Sequence, residues 1–321
     1  MRRLFIISAI LFSTGCFAQQ QNAFFVKNNG ALAVNKDSAD FVRIVTTPEK
    51  DSELFTVAEY YISGKKKRIY KSRGAYPVII EGSAISFYPN GARQFIENYE
   101  SGRRLGNAYE YFPNGQLYTQ KDYAPRPHNK KSFEEKYSVQ LVNDSLGKAI
   151  VTDGNGIYQI YNKDFKEVVE QGAVKNGQRN GIWKGTSKAP ESTFEEEYMN
   201  GELISGKATY EGRTLTYSKA RQTAPKFPGG DQAFGRFLGR QIRYPAYERE
   251  NNIQGRVIIT FDVGKDGKLS NFQIIQSVSE GLDNEALKML KNSPVWKPGT
   301  LYGMPISVKY TVPITFTLGS M

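Results

Sequence analysis

The side chains able to do covalent or metal chemistry are few. His128 is the single histidine of this 321-residue chain and Cys16 its single cysteine. One imidazole cannot supply the pair of histidines that a metal site or proton relay draws on, and its setting, Pro125-Arg-Pro-His128, reads as an exposed loop. Asp262-Val-Gly-Lys-Asp266-Gly267 brings carboxylates near a glycine. It lacks the carboxylate spacing and closing Glu of a calcium loop, so a hairpin turn is expected there. Pro228-Gly229-Gly230 is followed by no Gly-Lys-Ser/Thr, so it does not read as a phosphate-cradling loop. The chain is therefore read as a non-enzyme with no cofactor and no metal site, and its function is sought in binding.

The best binding candidate is a run of backbone. From Ile306 to Leu318 apolar and polar residues alternate: Val308, Tyr310, Val312, Ile314 and Phe316 against Lys309, Thr311, Thr315 and Thr317. A period of two puts the apolar set on one face of a sheet and leaves the other to water. A terminal strand of this kind is a candidate sheet edge, where another extended chain can add. Pro313 lacks a backbone donor and so fits an edge or a bulge, where it also blunts aggregation. On this reading a Val308→Pro change should disrupt docking.

The elements that would position this strand follow from composition and pattern. High Tyr, Phe and Gly contents favour sheets and tight turns. The formal charge of +11 is spread along the chain, with one dense run, Lys65-Lys-Lys-Arg68, read as a solvated turn between strands. At the N-terminus Arg2-Arg3, the apolar run Leu4 to Phe12 and the small residues to Ala18 have the layout of an export signal, residues 1–18. A second reading uses Ser13-Thr-Gly-Cys16, which resembles a bacterial lipobox with Ser13 where Leu is usual; Cys16 would then carry a lipid. A third retains the segment as an uncleaved anchor. Export argues against a nucleic-acid role.

Residues 19–218 are repetitive. Phe87-Tyr-Pro-Asn-Gly91 returns as Tyr111-Phe-Pro-Asn-Gly115, and Ser101-Gly102, Asn176-Gly177, Ser63-Gly64 and Asn200-Gly201 punctuate the same stretch. Each pair is read as a two-residue hairpin turn, since Gly and Asn tolerate positive φ. These units resemble MORN-like β-hairpin repeats, which implies a scaffold or binding surface. Residues 219–229 are read as a short linker, with Pro225 and Pro228.

Residues 230–321 read differently. Asp231 is expected to cap a helix to Gln241, with Phe234, Phe237, Leu238 and Ile242 on one side. Tyr244-Pro245 stops it, and Ala246 to Asn252 can form one more short helix. A hairpin is expected from Gly255 to Ser277, turning at Lys265-Asp-Gly267. A helix follows at Leu282–Lys291 with a stripe of Leu282, Ala286, Leu287 and Leu290. The fold class is thus an α+β C-terminal domain, helices on a three-stranded antiparallel sheet, after a mainly-β repeat region.

The order of Phe227-Pro-Gly-Gly230, Tyr244-Pro245, Gln254-Gly255, Phe261-Asp-Val263, Asp266-Gly267, Leu282-Asp283, Ala286-Leu287, Trp296-Lys-Pro298 and Val312-Pro-Ile-Thr-Phe316 resembles the C-terminal domain of TonB-family energy transducers, from about Pro225 to Leu318. The resemblance implies a periplasmic adaptor. Its partner would be the N-terminal peptide of a TonB-dependent outer-membrane receptor, added as a strand beside the last strand, in support of energy-coupled nutrient import. The contact residues it implies are Gln241, Ile242, Arg243 and Tyr244, with Val308, Lys309, Tyr310, Thr311, Val312, Ile314 and Thr315. It also implies inner-membrane proton-driven motor proteins as partners. An unpaired terminal strand further admits a homodimer. The family's spanning helix and long proline-rich spacer have no counterpart here, where a leader and a repeat region stand instead. The competing reading is an envelope structural or interaction protein whose repeats bind glycan or protein.

Overall fold

The computed structural model describes residues 20–125 and 135–318. The export signal, Cys16 and His128 lie outside these residues. The chain divides into two compact units, one running to Trp183 and including 199–201, the other comprising 184–198 and the residues from 202 onward. No described helix is long and apolar enough to cross a membrane.

The first unit is a succession of antiparallel hairpins. Gln21–Val26 pairs with Phe41–Thr46, and pairing continues from strand to next strand through Val168–Lys175. Its turns are of two kinds, where the sequence suggested one. At Ser101-Gly102 and Asn176-Gly177 both residues have positive φ (50° and 79°, 50° and 74°), the two-residue hairpin geometry. In Phe87-Tyr-Pro-Asn-Gly91 only the glycine does, at 93°. Gly91 N–H donates to the Tyr88 carbonyl and Tyr88 N–H to the Ala92 carbonyl, both at 2.8 Å, so the loop holds three residues. Pro89, with its fixed negative φ, suits this loop but is not required for it: Ser63-Gly64 forms the same three-residue loop without proline, Gly64 N–H donating to the Tyr61 carbonyl and Tyr61 N–H to the Lys65 carbonyl, both at 2.8 Å. The second copy repeats these bonds at Phe112, Gly115 and Gln116. The copies also touch: Tyr88 O–H donates to the Tyr111 carbonyl at 2.7 Å, and Asn90 Nδ2 to the Pro113 carbonyl at 2.9 Å.

Carboxylates buried among the strands recur, each held by Arg and mostly by Tyr as well. Glu59 accepts from Arg43 Nε at 2.9 Å and from the Tyr70 hydroxyl at 2.9 Å. Glu97 accepts from Arg104 Nε at 2.7 Å, Arg68 at 3.2 Å and the Tyr99 hydroxyl at 2.8 Å. Glu170 pairs with Arg179, whose guanidinium lies 4.0 Å over the Trp183 ring. Stacking arginine on an aromatic face supplies a surface for a cation removed from water. The basic run is drawn into this arrangement. Lys65 and Lys66 are exposed, but Lys67 lies 4.0 Å over the Phe41 ring and Arg68 pairs with Glu97. Only Lys65 of the run precedes the strand Lys66–Ser72, so the expected solvated turn holds for Lys65 alone, with Lys66 the one exposed strand residue among the other three.

Burial pushes the phenols of Tyr70, Tyr88, Tyr118 and Tyr158 up from their ordinary value, and nearby Glu59 and Glu110 add to this at Tyr70 and at Tyr88 and Tyr118. A phenol whose folded value exceeds its unfolded value of about 10 stabilises fully below that pH. That contribution is lost as pH rises further. Urea midpoints should therefore fall steeply above about pH 10. A Tyr118→Phe variant, compared with its own midpoint at neutral pH, should lose less over the same interval.

In the second unit Glu202–Tyr210 and Arg213–Tyr217 form an antiparallel pair. Next come β1 (Gln222–Thr223), α1 (Gly230–Gln241), α2 (Ala246–Glu250), β2 (Gly255–Val263), β3 (Leu269–Gln276), α3 (Glu280–Lys291), β4 (Gly299–Leu301), β5 (Met304–Ile306) and β6 (Val308–Phe316). The main sheet has the order β3-β2-β6 and is antiparallel; β1, β4 and β5 make a second, smaller one. Val257, Ile259, Phe261 and Val263 on β2 are fully buried, as period two requires. They pack with Leu282, Ala286, Met289 and Leu290 of α3, with Trp296, and with Val312, Ile314 and Phe316 of β6. Phe234, Phe237, Leu238 and Ile242 cover the same core from α1.

Several local expectations need correction. The cap of α1 is Gly229, with φ 83°, and makes no side-chain bond; Asp231 sits inside the first turn, where its charge suits the helix dipole. On α3, Met289 joins the buried stripe, while Leu287 is only partly buried. The long alternating run is interrupted at Ser307, because Ile306 pairs with Gly299 in the smaller sheet. Residues 222–227 are hydrogen-bonded into the C-terminal elements: Lys226 and Lys297 exchange backbone bonds of 2.9 and 2.8 Å, and Phe227 enters the core. Gly267, at φ 79°, is required by a close approach, since a Cβ there would meet the Trp296 carbonyl oxygen at 1.9 Å.

Candidate functional site: the free edge of the last strand

β6 stands at the end of its sheet and pairs with β2 in unbroken register, from Gly255↔Phe316 to Val263↔Val308. In an antiparallel pair successive residues point their N–H and C=O groups alternately at the partner and away from it. Three observations fix which set points away. Pro313 lies opposite Ile258 and has no N–H to give, which suits an outward position. The Arg256 carbonyl, opposite Thr315, accepts from Gln276 Nε2 at 3.1 Å and so faces β3, not β6. Leu318 N–H, of the other parity, turns toward the β2 side and donates to Gln254 Oε1 at 2.8 Å. The outward backbone groups are therefore those of Lys309, Thr311, Pro313 and Thr315.

Those four residues are also the exposed ones, while Val312, Ile314 and Phe316 are buried and Val308 and Tyr310 half-buried. The residues expected at the site thus divide. Lys309, Thr311 and Thr315 offer both backbone and side chain to an incoming strand. Val308, Tyr310, Val312 and Ile314 turn their backbone to β2 and their side chains to the core. A proline at Val308 would break the β2–β6 ladder, so the variant that probes the outer edge is Thr311→Pro.

The segment before Tyr244-Pro245 meets the far end of the same strand. The Tyr244 ring packs edge-on against Phe316, centroids 6.0 Å apart, and its hydroxyl donates to the Ile253 carbonyl at 2.6 Å. Ile242 packs against the core. Arg243 N–H donates to the buried Glu285 at 2.8 Å, and Glu248, also buried, accepts from the Ser279 hydroxyl and Gly281 N–H. These carboxylates hold backbone in place, a role that residue counting on α3 did not reveal. With Ile242 and Tyr244 anchored, Gln241 and Arg243 are left exposed beside them.

Among curated proteins none matches the chain. A family model does: residues 240–318 match the family described as Gram-negative bacterial TonB protein C-terminal. The match takes in the end of α1, all of the main sheet, α3 and both parts of the proposed edge, whereas Phe227 and most of α1 precede it. The C-terminal domain of this protein is accordingly a TonB C-terminal domain, an interaction module of the kind that serves energy transduction.

Proposed function

We propose that the protein is a periplasmic adaptor that binds the N-terminal peptide of TonB-dependent outer-membrane receptors by strand addition at β6, in support of energy-coupled nutrient import. The observation that carries this reading is the unpaired outward edge at Lys309, Thr311 and Thr315 in a domain of TonB C-terminal type. Main-chain bonds supply affinity in such additions, and neighbouring side chains supply choice of partner. Gln241 and Arg243 are suited to the second task, one through its amide and the other through its charge. Coupling to proton-driven motor proteins of the inner membrane would make the adaptor a transducer.

The test is calorimetric titration of the full chain with a synthetic peptide copying a receptor N-terminus. Thr311→Pro removes an outward donor while leaving the β2 ladder intact. It should weaken binding at least about tenfold, the effect of roughly one lost hydrogen bond, with an unchanged circular dichroism spectrum. Undiminished affinity in this variant would put the peptide somewhere else.

A further inference from the structure

We propose that Pro313 makes this edge selective against its own copy: the strand admits a foreign extended peptide more readily than β6 of a second molecule. The admission of a foreign peptide rests on the strand-addition reading; the penalty on a second copy does not. On side chains alone β6 is a good template for self-association. Thr311 and Thr315, both β-branched, stand exposed on its solvent face, and among the described residues nothing pairs with its outer edge. The backbone decides otherwise. Outward positions recur every second residue, at Lys309, Thr311, Pro313 and Thr315, so proline takes one of the four.

Two identical edges meeting about a two-fold axis must pair antiparallel, and each residue contact is made twice. The register that overlaps all of Val308–Phe316 is centred on Val312 and sets Thr311 against Pro313 twice, so two Thr311 carbonyls lack donors. A register shorter by two residues sets Pro313 against Pro313. That central pair should exchange two N–H···O bonds and can make neither. Two pyrrolidine rings also occupy the line along which the strands must close. Either register thus leaves two carbonyls without donors. A foreign strand meets a single proline. It leaves one of its own carbonyls without a donor, while its N–H groups still reach the outward carbonyls of Lys309, Thr311, Pro313 and Thr315. The same proline thus penalises a second copy about twice as heavily as a receptor peptide, and in the Pro313–Pro313 register adds a steric conflict that the peptide never meets.

Sedimentation equilibrium of the full chain tests this, with wild type, Pro313→Thr, Pro313→Ala and the double variant Pro313→Thr/Thr311→Pro compared over a range of concentrations. Restoring the donor by either single change should tighten self-association at least about tenfold. The double variant, with its break moved along the edge, should return to wild-type behaviour. Two outcomes overturn the proposal: single variants that associate no more than wild type, or a wild-type protein that already dimerises as tightly as they do. Titrating the same proteins with the receptor peptide keeps the two readings apart. A peptide that binds none of them removes strand addition by the receptor and leaves the self-association result standing.

Discussion

Replacing Glu196 with Ala should destabilise the second unit by about 3–5 kcal/mol, the cost of breaking a buried ion pair from one side. Glu196 is fully buried. Its carboxylate accepts from the Tyr217 hydroxyl at 2.7 Å, the Tyr198 hydroxyl at 3.0 Å and Arg221 Nε at 2.8 Å. Arg221 lies 4.6 Å over the Phe194 ring, which stacks on Tyr302 at 5.2 Å, and Tyr302 N–H returns a bond to the Arg221 carbonyl. This one carboxylate therefore joins the strand Glu191–Met199 to the segment entering β1 and to the turn between β4 and β5. Removing it takes away the acceptor shared by a partly buried guanidinium and two phenols. Glu196→Gln, which keeps an acceptor for the phenols, should cost less, and urea denaturation followed by fluorescence would rank the two. If Glu196→Ala were as stable as wild type, the joint would contribute nothing to holding these elements together.

Replacing Trp296 with Ala should cost a similar amount, about 3–5 kcal/mol, through the cavity it opens. The indole is almost wholly buried, and four rings surround it: Phe227, Phe234, Phe261 and Tyr310, at centroid distances of 5.7, 5.2, 5.8 and 5.2 Å. These come from the segment before α1, from α1, from β2 and from β6, so a single side chain ties the helix layer to the strand that carries the edge. The indole Nε1 also donates to the Ser293 hydroxyl at 2.8 Å. Loss of the ring should therefore raise amide exchange along β6 as well as lower the denaturation midpoint. A normal midpoint with unchanged exchange would show that the surrounding rings close the gap.

Much of this architecture could be read in advance where periodicity was clean. Val257, Ile259, Phe261 and Val263 share one parity, and among the residues between and before them only Ile258 is apolar, so a burial rule with period two picks this face. The buried acids were less visible. Glu196 occupies the same parity as Ser192, Phe194 and Tyr198, all buried, so its direction was legible; its partners were not, because Tyr217 and Arg221 reach it from other elements. Glu285 and Asp283 of α3 each accept a backbone N–H from a segment distant from it or preceding its helix, contacts that no spacing within the helix announces. The turns split between two loop lengths that the dipeptide alone does not distinguish, since Ser63-Gly64 takes the three-residue loop and Ser101-Gly102 the two-residue one. At the edge, the alternation of faces was plain, but which residues turn their backbone outward depends on the register with β2. That register moves the useful probe from Val308 to Thr311.

The most direct test of strand addition is residue-resolved amide exchange on the full chain, with and without a receptor N-terminal peptide. The account predicts new protection at Lys309, Thr311 and Thr315, whose N–H groups point away from β2, with little change at Val308, Tyr310, Val312 and Ile314, already paired. Protection that left those three amides exchanging freely, and appeared instead along the hairpins of the first unit, would contradict it.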